Sequence, residues 1–272
     1  MLATTRPSYF LALRTNDWTT HENPKYRLTK VKRALFIEHD HVTLSGPLWR
    51  AFKNRGYEVV RMPVVKAENF ETPNVQVEWP DFSEYDVIVP MGSPWGVWED
   101  ERIGNWLLPE LERVTASHNA GQPIFGVCFG GQLMARALGG SVSRAPRSEI
   151  GWHYVMTDYP EIIPNGPWFQ YHWDRFTVPP GATELARSPI APQAFVMGRT
   201  LGLQFHPEID LEVLDCWLEM DGGPEEIEGE GLDVEILRQQ TKAEEAGANA
   251  RAQALVDYFL DHIATAEIKK IG

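Results

Sequence analysis

Cys128 stands in a segment whose residue types and spacing suit a thiol nucleophile. The sequence Gly-Val-Cys-Phe-Gly at 126–130 has the G-x-S-x-G spacing, with cysteine in place of serine. An apolar run at 123–127 precedes the cysteine and helix formers at 132–135 follow, which predicts a sharp strand-to-helix turn. Such a turn puts the thiol at a helix N-terminus, where the dipole and free amides lower a thiol's pKa and stabilise an oxyanion. The alternative is a buried structural cysteine, which is our interpretation of Cys216.

A thiol nucleophile needs a base, and the base needs a group that orients it. His206 is the best candidate, because it follows the apolar run 201–205 and lies two residues before Glu208. If Glu208 accepts a hydrogen bond from one ring nitrogen, the other nitrogen can face the sulfur. A structural His-Pro-Glu turn explains the motif equally well when it is taken alone, but beside the cysteine turn it predicts a triad. The other histidines fall mostly in predicted loops or on polar helix faces: His21, His39, His41, His118, His153, His172 and His262.

Two backbone donors are also expected, because acyl transfer from an amide passes through a tetrahedral oxyanion. The N–H of Phe129, directly after the nucleophile, is one candidate. The second is the backbone N–H of Ser93, in the Gly-Ser-Pro turn at 92–94 that follows an apolar run. The alternative for this segment is a plain turn without any catalytic role.

Apolar runs that alternate with helical patterns indicate the fold class. Strands are predicted at 34–38, 57–60, 86–90 and 123–127, with helices at 48–54 and 103–119. Pro109 inside the second helix is expected to kink or restart it. Because the strand runs are continuously apolar, they predict an α/β fold with a mostly parallel sheet covered on both faces, a flavodoxin-like three-layer sandwich.

The second half of the chain changes character. Short alternating runs separated by Pro and Gly, at 152–156, 176–179 and 194–197, predict antiparallel additions to the sheet. The run 201–205 returns to the core. Helices predicted at 211–219 and 234–263 flank an acidic, Gly-rich loop. We interpret the acidic residues as a solvated face, with a docking surface for a basic partner as the alternative.

Composition excludes several classes of function. The formal net charge of −13 over 272 residues argues against a nucleic-acid partner, and no apolar stretch is long enough to predict a membrane helix. Two cysteines are too few for a disulfide framework and indicate a reducing, cytoplasmic location. We expect residues 1–32 to form an N-terminal extension and residues 33–272 one domain with a C-terminal helical addition.

Two motifs carry a resemblance to a known family. Gly-Val-Cys-Phe-Gly-Gly-Gln at 126–132 and Phe-His-Pro-Glu at 205–208 resemble the signatures of class I (triad) glutamine amidotransferases. Met-Gly-Ser-Pro at 91–94 resembles the oxyanion turn of that family, with serine in place of a second glycine. Glu-Ile-Gly-Trp at 149–152 is similar to stand-alone members related to the glutaminase half of GMP synthase.

The resemblance implies hydrolysis of the γ-glutamyl amide of glutamine through a thioester of Cys128, without a metal or cofactor. It also implies substrate contacts from five residues: Gly92, Gln132, Tyr171, His172 and Trp173. A surface loop residue packed among aromatic rings is the alternative for His172. Gly131 departs from the larger residue of many members, which predicts a different pocket floor.

Three functions remain open on the sequence. The ammonia could pass to a separate synthetase subunit, since the chain has no G-x-x-x-x-G-K loop for ATP. A free-standing γ-glutamyl hydrolase or peptidase, acting on γ-glutamyl conjugates, would use the same triad. The third and weakest alternative is a non-catalytic binding protein.

Overall fold

The computed structural model describes residues 30–219 and 223–267. Ten strands are seen: β1 Arg33–Glu38, β2 Glu58–Pro63, β3 Val87–Pro90, β4 Ile124–Val127, β5 Val142–Tyr154, β6 Met156–Thr157, β7 Pro167–Phe176, β8 Thr183–Arg187, β9 Pro192–Met197 and β10 Thr200–Leu203. Six α-helices accompany them: α1 Gly46–Asn54, α2 Asp100–Asn119, α3 Phe129–Ala137, α4 Leu211–Leu218, α5 Gly223–Gly229 and α6 Val234–Tyr258. All of them belong to the compact unit Val31–Gly272. The extension predicted at residues 1–32 lies outside the described residues, except for its last three.

Eight strands form one sheet in the order β2-β1-β3-β4-β10-β9-β8-β6. The first five of these run parallel to their neighbours, and β9, β8 and β6 continue the sheet in antiparallel pairs. The predicted mostly parallel sheet with antiparallel additions is therefore confirmed. Because these five strands are parallel, their carboxyl ends meet at one edge of the sheet.

Helices cover both faces of this sheet. Alternate residues of β1 show the division, since Phe36 packs into the cluster that holds α1 and α6, and Ile37 packs into the cluster that holds α2 and α3. Each core strand therefore buries side chains on both sides, which explains the continuously apolar runs. The flavodoxin-like three-layer α/β sandwich is confirmed.

Three local predictions were wrong. The run at 152–156 is not a single added strand: residues 152–154 end β5, which pairs only with β7, and Met156 begins β6, which joins the main sheet beside β8. Of the run at 176–179, only Phe176 is in a strand, where it ends β7. The restart predicted at Pro109 does not occur, because α2 is continuous over twenty residues.

The acidic segment between α4 and α6 was predicted to be a loop. It contains the short helix α5, Gly223–Gly229, in place of an uninterrupted loop. The last helix, α6, ends at Tyr258 and is followed by one wider, π-type turn, Phe259–Ile263. Within the described ranges, no helix combines the length and hydropathy required to cross a bilayer.

Candidate active site

The carboxyl ends of four parallel strands surround one cavity of about 550 Å³. Asp40 follows β1, Gly92 and Ser93 follow β3, Cys128 follows β4, and His206 follows β10 closely in sequence; all of them line the cavity. This is the edge at which open α/β sheets bind ligands. Residues separated by more than 150 positions in the chain are brought together there because their strands are parallel neighbours.

Cys128 occupies the predicted strained turn between β4 and α3. Its φ of +49° and ψ of −105° make it the sole non-glycine residue with a positive φ in the described part of the chain. Left-handed conformations of this kind cost about 1–3 kcal/mol and are kept where the surrounding structure enforces them. The strain directs the sulfur into the cavity at the N-terminus of α3.

The glycines around Cys128 are required by close backbone contacts. A Cβ on Gly126 would lie 2.5 Å from the carbonyl oxygen of Gly130, and a Cβ on Gly130 would lie 2.0 Å from that of Pro90. Both distances are shorter than any real contact of a methyl group. The spacing read from the sequence is therefore a steric requirement of the turn.

Gly131 has the same kind of steric constraint, and the prediction that it alters the pocket floor was wrong. A Cβ at this position would lie 2.1 Å from the carbonyl oxygen of Leu203, in the neighbouring strand β10. The residue thus faces the sheet, and it is not part of the cavity lining. A larger residue at position 131 would fit only if α3 moved away from β10.

His206 and Glu208 form a buried pair next to the cysteine. His206 Nδ1 lies 2.7 Å from Glu208 Oε1, and the two residues are 4% and 0% exposed. Burial by itself lowers the pKa of His206, but the adjacent Cys128 sulfur and Glu208 carboxylate outweigh it and hold the pKa well above its ordinary value. His206 is therefore favoured as an imidazolium.

The second ring nitrogen of His206 is available to the cavity. Within the described residues Nε2 has no hydrogen-bond partner of normal geometry, although the sulfur is close enough for its charge to act on the ring. Trp217 packs edge-on against the ring, with 5.1 Å between the centroids. Glu208 and Trp217 together fix the orientation of the imidazole.

The two predicted oxyanion donors both border the cavity. In the described chain, neither the Ser93 N–H nor the Phe129 N–H donates to another protein group. The Ser93 hydroxyl is engaged in its own turn, where it accepts a hydrogen bond from the Trp95 N–H at 3.2 Å. The contribution of the Ser93 backbone N–H to an oxyanion site stays a prediction.

The predicted substrate contacts Gln132, Tyr171, His172 and Trp173 also line the cavity. His172 is not a surface loop residue: it lies within β7 and is 3% exposed. Its Nε2 lies 3.3 Å from Glu149 Oε2, and its Nδ1 lies 3.0 Å from the Asp174 carbonyl oxygen.

A chain of buried amides links Glu149 to His172. The Glu149 carboxylate accepts a hydrogen bond from Gln193 Nε2 at 2.9 Å, and Gln193 Oε1 accepts one from Gln170 Nε2 at 2.9 Å. Gln170 Oε1 then faces His172 Nε2 at 3.1 Å. Because a carboxylate only accepts hydrogen bonds, it fixes the orientation of both amides and leaves acceptors around both ring nitrogens of His172.

Several residues at the site were missed by the sequence analysis. Gln204 lies between β10 and His206, and its Nε2 is 3.8 Å from the Cys128 sulfur. The acidic residues Glu226 and Glu230, interpreted as solvated, accept hydrogen bonds from Tyr171 Oη at 2.9 Å and Trp173 Nε1 at 2.7 Å. They therefore connect the segment around α5 to the mouth of the cavity, a contact that only the folded chain reveals.

Comparison with known families decides the identity of this fold and site. Residues 47–218 match the family model of glutamine amidotransferase class-I, which is more than half of the chain. The chain belongs to the class-I glutamine amidotransferase family. The resemblance inferred from the motifs at 126–132 and 205–208 is thereby confirmed.

Curated relatives of this chain include glutamine-hydrolyzing GMP synthases. That of Aeropyrum pernix is 37% identical over 147 residues, which is 49% of this chain and 26% of that protein. That of Thermomicrobium roseum is 37% identical over 133 residues, 45% of this chain and 23% of that protein. The matched region thus spans about a quarter of these relatives.

Solved structures agree with the family. A glutamine amidotransferase from Thermotoga maritima superposes with a TM-score of 0.74 and 26% identity, covering 86% of this chain and 100% of that one. A glutamine amidotransferase from Methylobacillus flagellatus shares the fold, with a TM-score of 0.67 and 23% identity, covering 88% and 98% of the two chains.

Proposed function

We propose that this amidotransferase hydrolyses the γ-glutamyl amide of glutamine through a thioester of Cys128, releasing glutamate and ammonia for a separate acceptor enzyme. The observation that carries the proposal is the strained Cys128 turn beside the buried His206–Glu208 pair. Acyl transfer requires a nucleophile, a base beside it and a group that orients the base, and cysteine, histidine and carboxylate are here neighbours in that order. Two unengaged backbone donors border the same cavity.

The first half of the reaction forms the thioester. The Cys128 thiolate attacks the γ-carbonyl carbon, and the resulting oxyanion accepts hydrogen bonds from the Ser93 and Phe129 N–H groups. His206 gives its Nε2 proton to the amide nitrogen, the C–N bond breaks, and ammonia leaves. Glu208 stabilises the imidazolium before this transfer and holds the ring in place.

The second half releases glutamate. Neutral His206 takes a proton from a water molecule, whose oxygen attacks the thioester carbonyl at the same oxyanion site. When the tetrahedral intermediate collapses, the C–S bond breaks and the Cys128 thiolate is regenerated beside protonated His206. The sum is glutamine and water to glutamate and ammonia, with no cofactor.

A second function is favoured by the size and lining of the cavity. At about 550 Å³ it falls in the middle of the range of pockets for drug-sized ligands, about 300–1,000 Å³. Its lining is rich in aromatic residues: Phe70, Trp95, Tyr171, Trp173 and Trp217. A γ-glutamyl conjugate with an apolar or aromatic amine would fill this space better than glutamine. In this case the amine, and not ammonia, is the first product.

The experiment compares glutamine with γ-glutamyl amides of increasing size, using the purified chain with and without co-purified partners. Glutamine as the best substrate, with ammonia and glutamate formed one to one, supports the first function. Preference for the aromatic conjugates supports the second. Cys128→Ser should abolish turnover, and Cys216→Ser, the matched control, should retain it. Wild-type rates in Cys128→Ser would refute the thioester route.

Two further parts of the proposal concern context. We propose a separate synthetase subunit as the partner, which is supported by the GMP synthases among the relatives. A cytoplasmic location is proposed because both cysteines, Cys128 and Cys216, are free thiols.

A further inference from the structure

His39 is a buried histidine that the reaction described above does not use. It follows β1 directly, is 0% exposed and is not part of the cavity lining. Its only charged hydrogen-bond partner in the described chain is Glu110 of α2, which is also 0% exposed. A fully buried ion pair is costly to desolvate, so its presence directly behind the candidate site calls for a physical reason.

The hydrogen bonds of His39 fix the orientation of its ring. Nδ1 lies 3.0 Å from the carbonyl oxygen of Gly92, and Nε2 lies 3.1 and 3.2 Å from the two carboxylate oxygens of Glu110. A carbonyl oxygen only accepts, so Nδ1 carries a proton, and an ionised Glu110 carboxylate accepts a second hydrogen bond from Nε2–H. Burial lowers the pKa of His39, but the Glu110 charge and the hydrogen bonds outweigh it, and the pKa lies above its ordinary value.

The carbonyl group that His39 holds belongs to the peptide unit whose N–H is that of Ser93. In a trans peptide the C=O and the following N–H point in opposite directions. The Gly92 carbonyl points to His39 in the interior, so the Ser93 N–H points away from the interior. Ser93 lies on the cavity side of this turn.

His39 also contacts the other predicted oxyanion residue. Its ring lies against the ring of Phe129, with 4.5 Å between the centroids, and Trp106 packs beside both rings. His39 therefore contacts Phe129, which provides one unengaged N–H, and the Gly92 carbonyl, which shares a peptide unit with the other, the Ser93 N–H. A rotation of the Gly92–Ser93 peptide would break the hydrogen bond of a buried charge, which makes the rotation costly.

We propose that His39 and Glu110 are positioning residues of the oxyanion hole, with the Glu110-anchored imidazolium fixing the Gly92–Ser93 peptide so that its N–H faces the reacting carbonyl. This inference rests on the proposed acyl-transfer function, because it gives the pair a purpose only where an oxyanion forms at Cys128. Neither residue touches the substrate. Their effect is confined to steps that build negative charge on a carbonyl oxygen.

The test separates two reactions of the same sulfur. Acylation of Cys128 by 4-nitrophenyl acetate passes through a tetrahedral oxyanion, whereas alkylation by iodoacetamide is a direct displacement without one. Both rates are measured on the full chain, by nitrophenolate release and by intact-protein mass spectrometry. A thermal unfolding midpoint is measured for each variant.

Three variants and one control are compared. Glu110→Leu removes the anchor, Glu110→Gln keeps a hydrogen bond to the ring, and His39→Phe with Glu110→Leu removes the pair without leaving a buried charge. His118→Phe is the control, because this histidine bonds Thr200 and does not line the cavity. If the double variant does not fold, the comparison of Glu110→Leu with Glu110→Gln decides the outcome.

We expect Glu110→Leu and the double variant to lower acylation by about 10- to 100-fold, somewhat less than removal of a whole oxyanion donor. Alkylation should be unchanged, and Glu110→Gln should recover most of the acylation rate, since its amide can donate to Nε2 while Nδ1–H still bonds Gly92. Wild-type acylation in folded Glu110→Leu overturns the proposal. An equal loss of acylation and alkylation also overturns it, because it would show general damage to Cys128.

The results also separate this inference from the function it rests on. Selective loss of acylation in a protein whose wild type hydrolyses no γ-glutamyl amide would refute the proposed function and retain the positioning role. Glutamine hydrolysis by the wild type, with acylation unaffected in Glu110→Leu, would refute only the positioning role. If the wild type neither hydrolyses a γ-glutamyl amide nor is acylated at Cys128 by the ester, both are refuted.

Discussion

His206 Nδ1 and Glu208 Oε1 lie 2.7 Å apart, although only Pro207 separates the two residues in the chain. The contact is fully buried, and Glu208 Oε2 has no partner within the described residues. An isolated carboxylate in this environment would be strongly destabilising, so the pairing with an imidazolium is what makes its burial tolerable. The three-residue motif is therefore a complete base and orienting group.

The first prediction concerns this pair. Glu208→Gln keeps the volume of the side chain but removes the charge that stabilises protonated His206. We expect kcat for the best γ-glutamyl substrate to fall by about 10²–10⁴-fold with little change in KM, as for the orienting carboxylate of other triads. Steady-state kinetics measure the effect. Glu212→Gln, in the first turn of α4, is a control expected to behave like the wild type.

The second prediction concerns Gly131. Gly131→Ala places a methyl group 2.1 Å from a backbone carbonyl that cannot move without displacing β10. We expect the free energy of unfolding to fall by about 2–4 kcal/mol, measured by urea denaturation. Gly229→Ala is the matched control, because it is exposed at the end of α5 with nothing within 4 Å of its added methyl group. An unchanged stability of Gly131→Ala would contradict the steric explanation.

The limits of sequence reasoning are visible at particular residues. Cys128, His206 and the turn at 92–94 were found because their chemistry depends on local spacing. The role of His39 was not predicted, because its partner Glu110 is 71 residues away and no local sequence pattern indicates a buried ion pair. The strand β7 that holds His172 was also missed, because it is buried or half-buried along its whole length and shows no alternation.

The third prediction concerns Glu149 and the pH dependence of stability. Burial raises the pKa of Glu149, but hydrogen bonds from His172 and Ser188 outweigh it and hold the pKa below its ordinary value of 4.5. A carboxyl whose pKa is lowered on folding stabilises the protein above the unfolded pKa, and this contribution is lost as the pH falls through the folded pKa. The Glu149 contribution is therefore complete at neutral pH and disappears in acid.

Glu149→Gln should thus lower the free energy of unfolding by about 1–3 kcal/mol at neutral pH. The NH2 group of the new glutamine would face hydrogen-bond donors for which the carboxylate was the acceptor. The difference from the wild type should shrink as the pH is lowered below 4.5. Urea denaturation over a pH series measures both quantities, with the exposed Glu112→Gln as the control. A difference that is constant with pH would show that the charge of Glu149 contributes nothing.

The fourth prediction concerns which of the two cysteines reacts first with iodoacetamide, the more exposed one or the one beside a cation. Cys128 is 6% exposed, whereas Cys216 is half-buried, so access alone favours Cys216. Burial and the nearby acidic residues Glu219, Asp40 and Glu212 raise the pKa of Cys216, which leaves less thiolate at neutral pH. The raised pKa of His206 keeps a cation beside the Cys128 sulfur through neutral pH. Since the thiolate is the nucleophile, we expect iodoacetamide to modify Cys128 first.

Peptide mapping after a short exposure to iodoacetamide gives the order of modification. Replacing His206 by Gln removes the cation and should slow the labelling of Cys128 while leaving that of Cys216 unchanged. As the pH rises through the raised pKa of His206, the imidazolium loses its proton and the wild type should approach the behaviour of this variant. Labelling of Cys216 before Cys128 in the wild type at neutral pH would show that access, and not the His206 cation, governs the reactivity of these thiols.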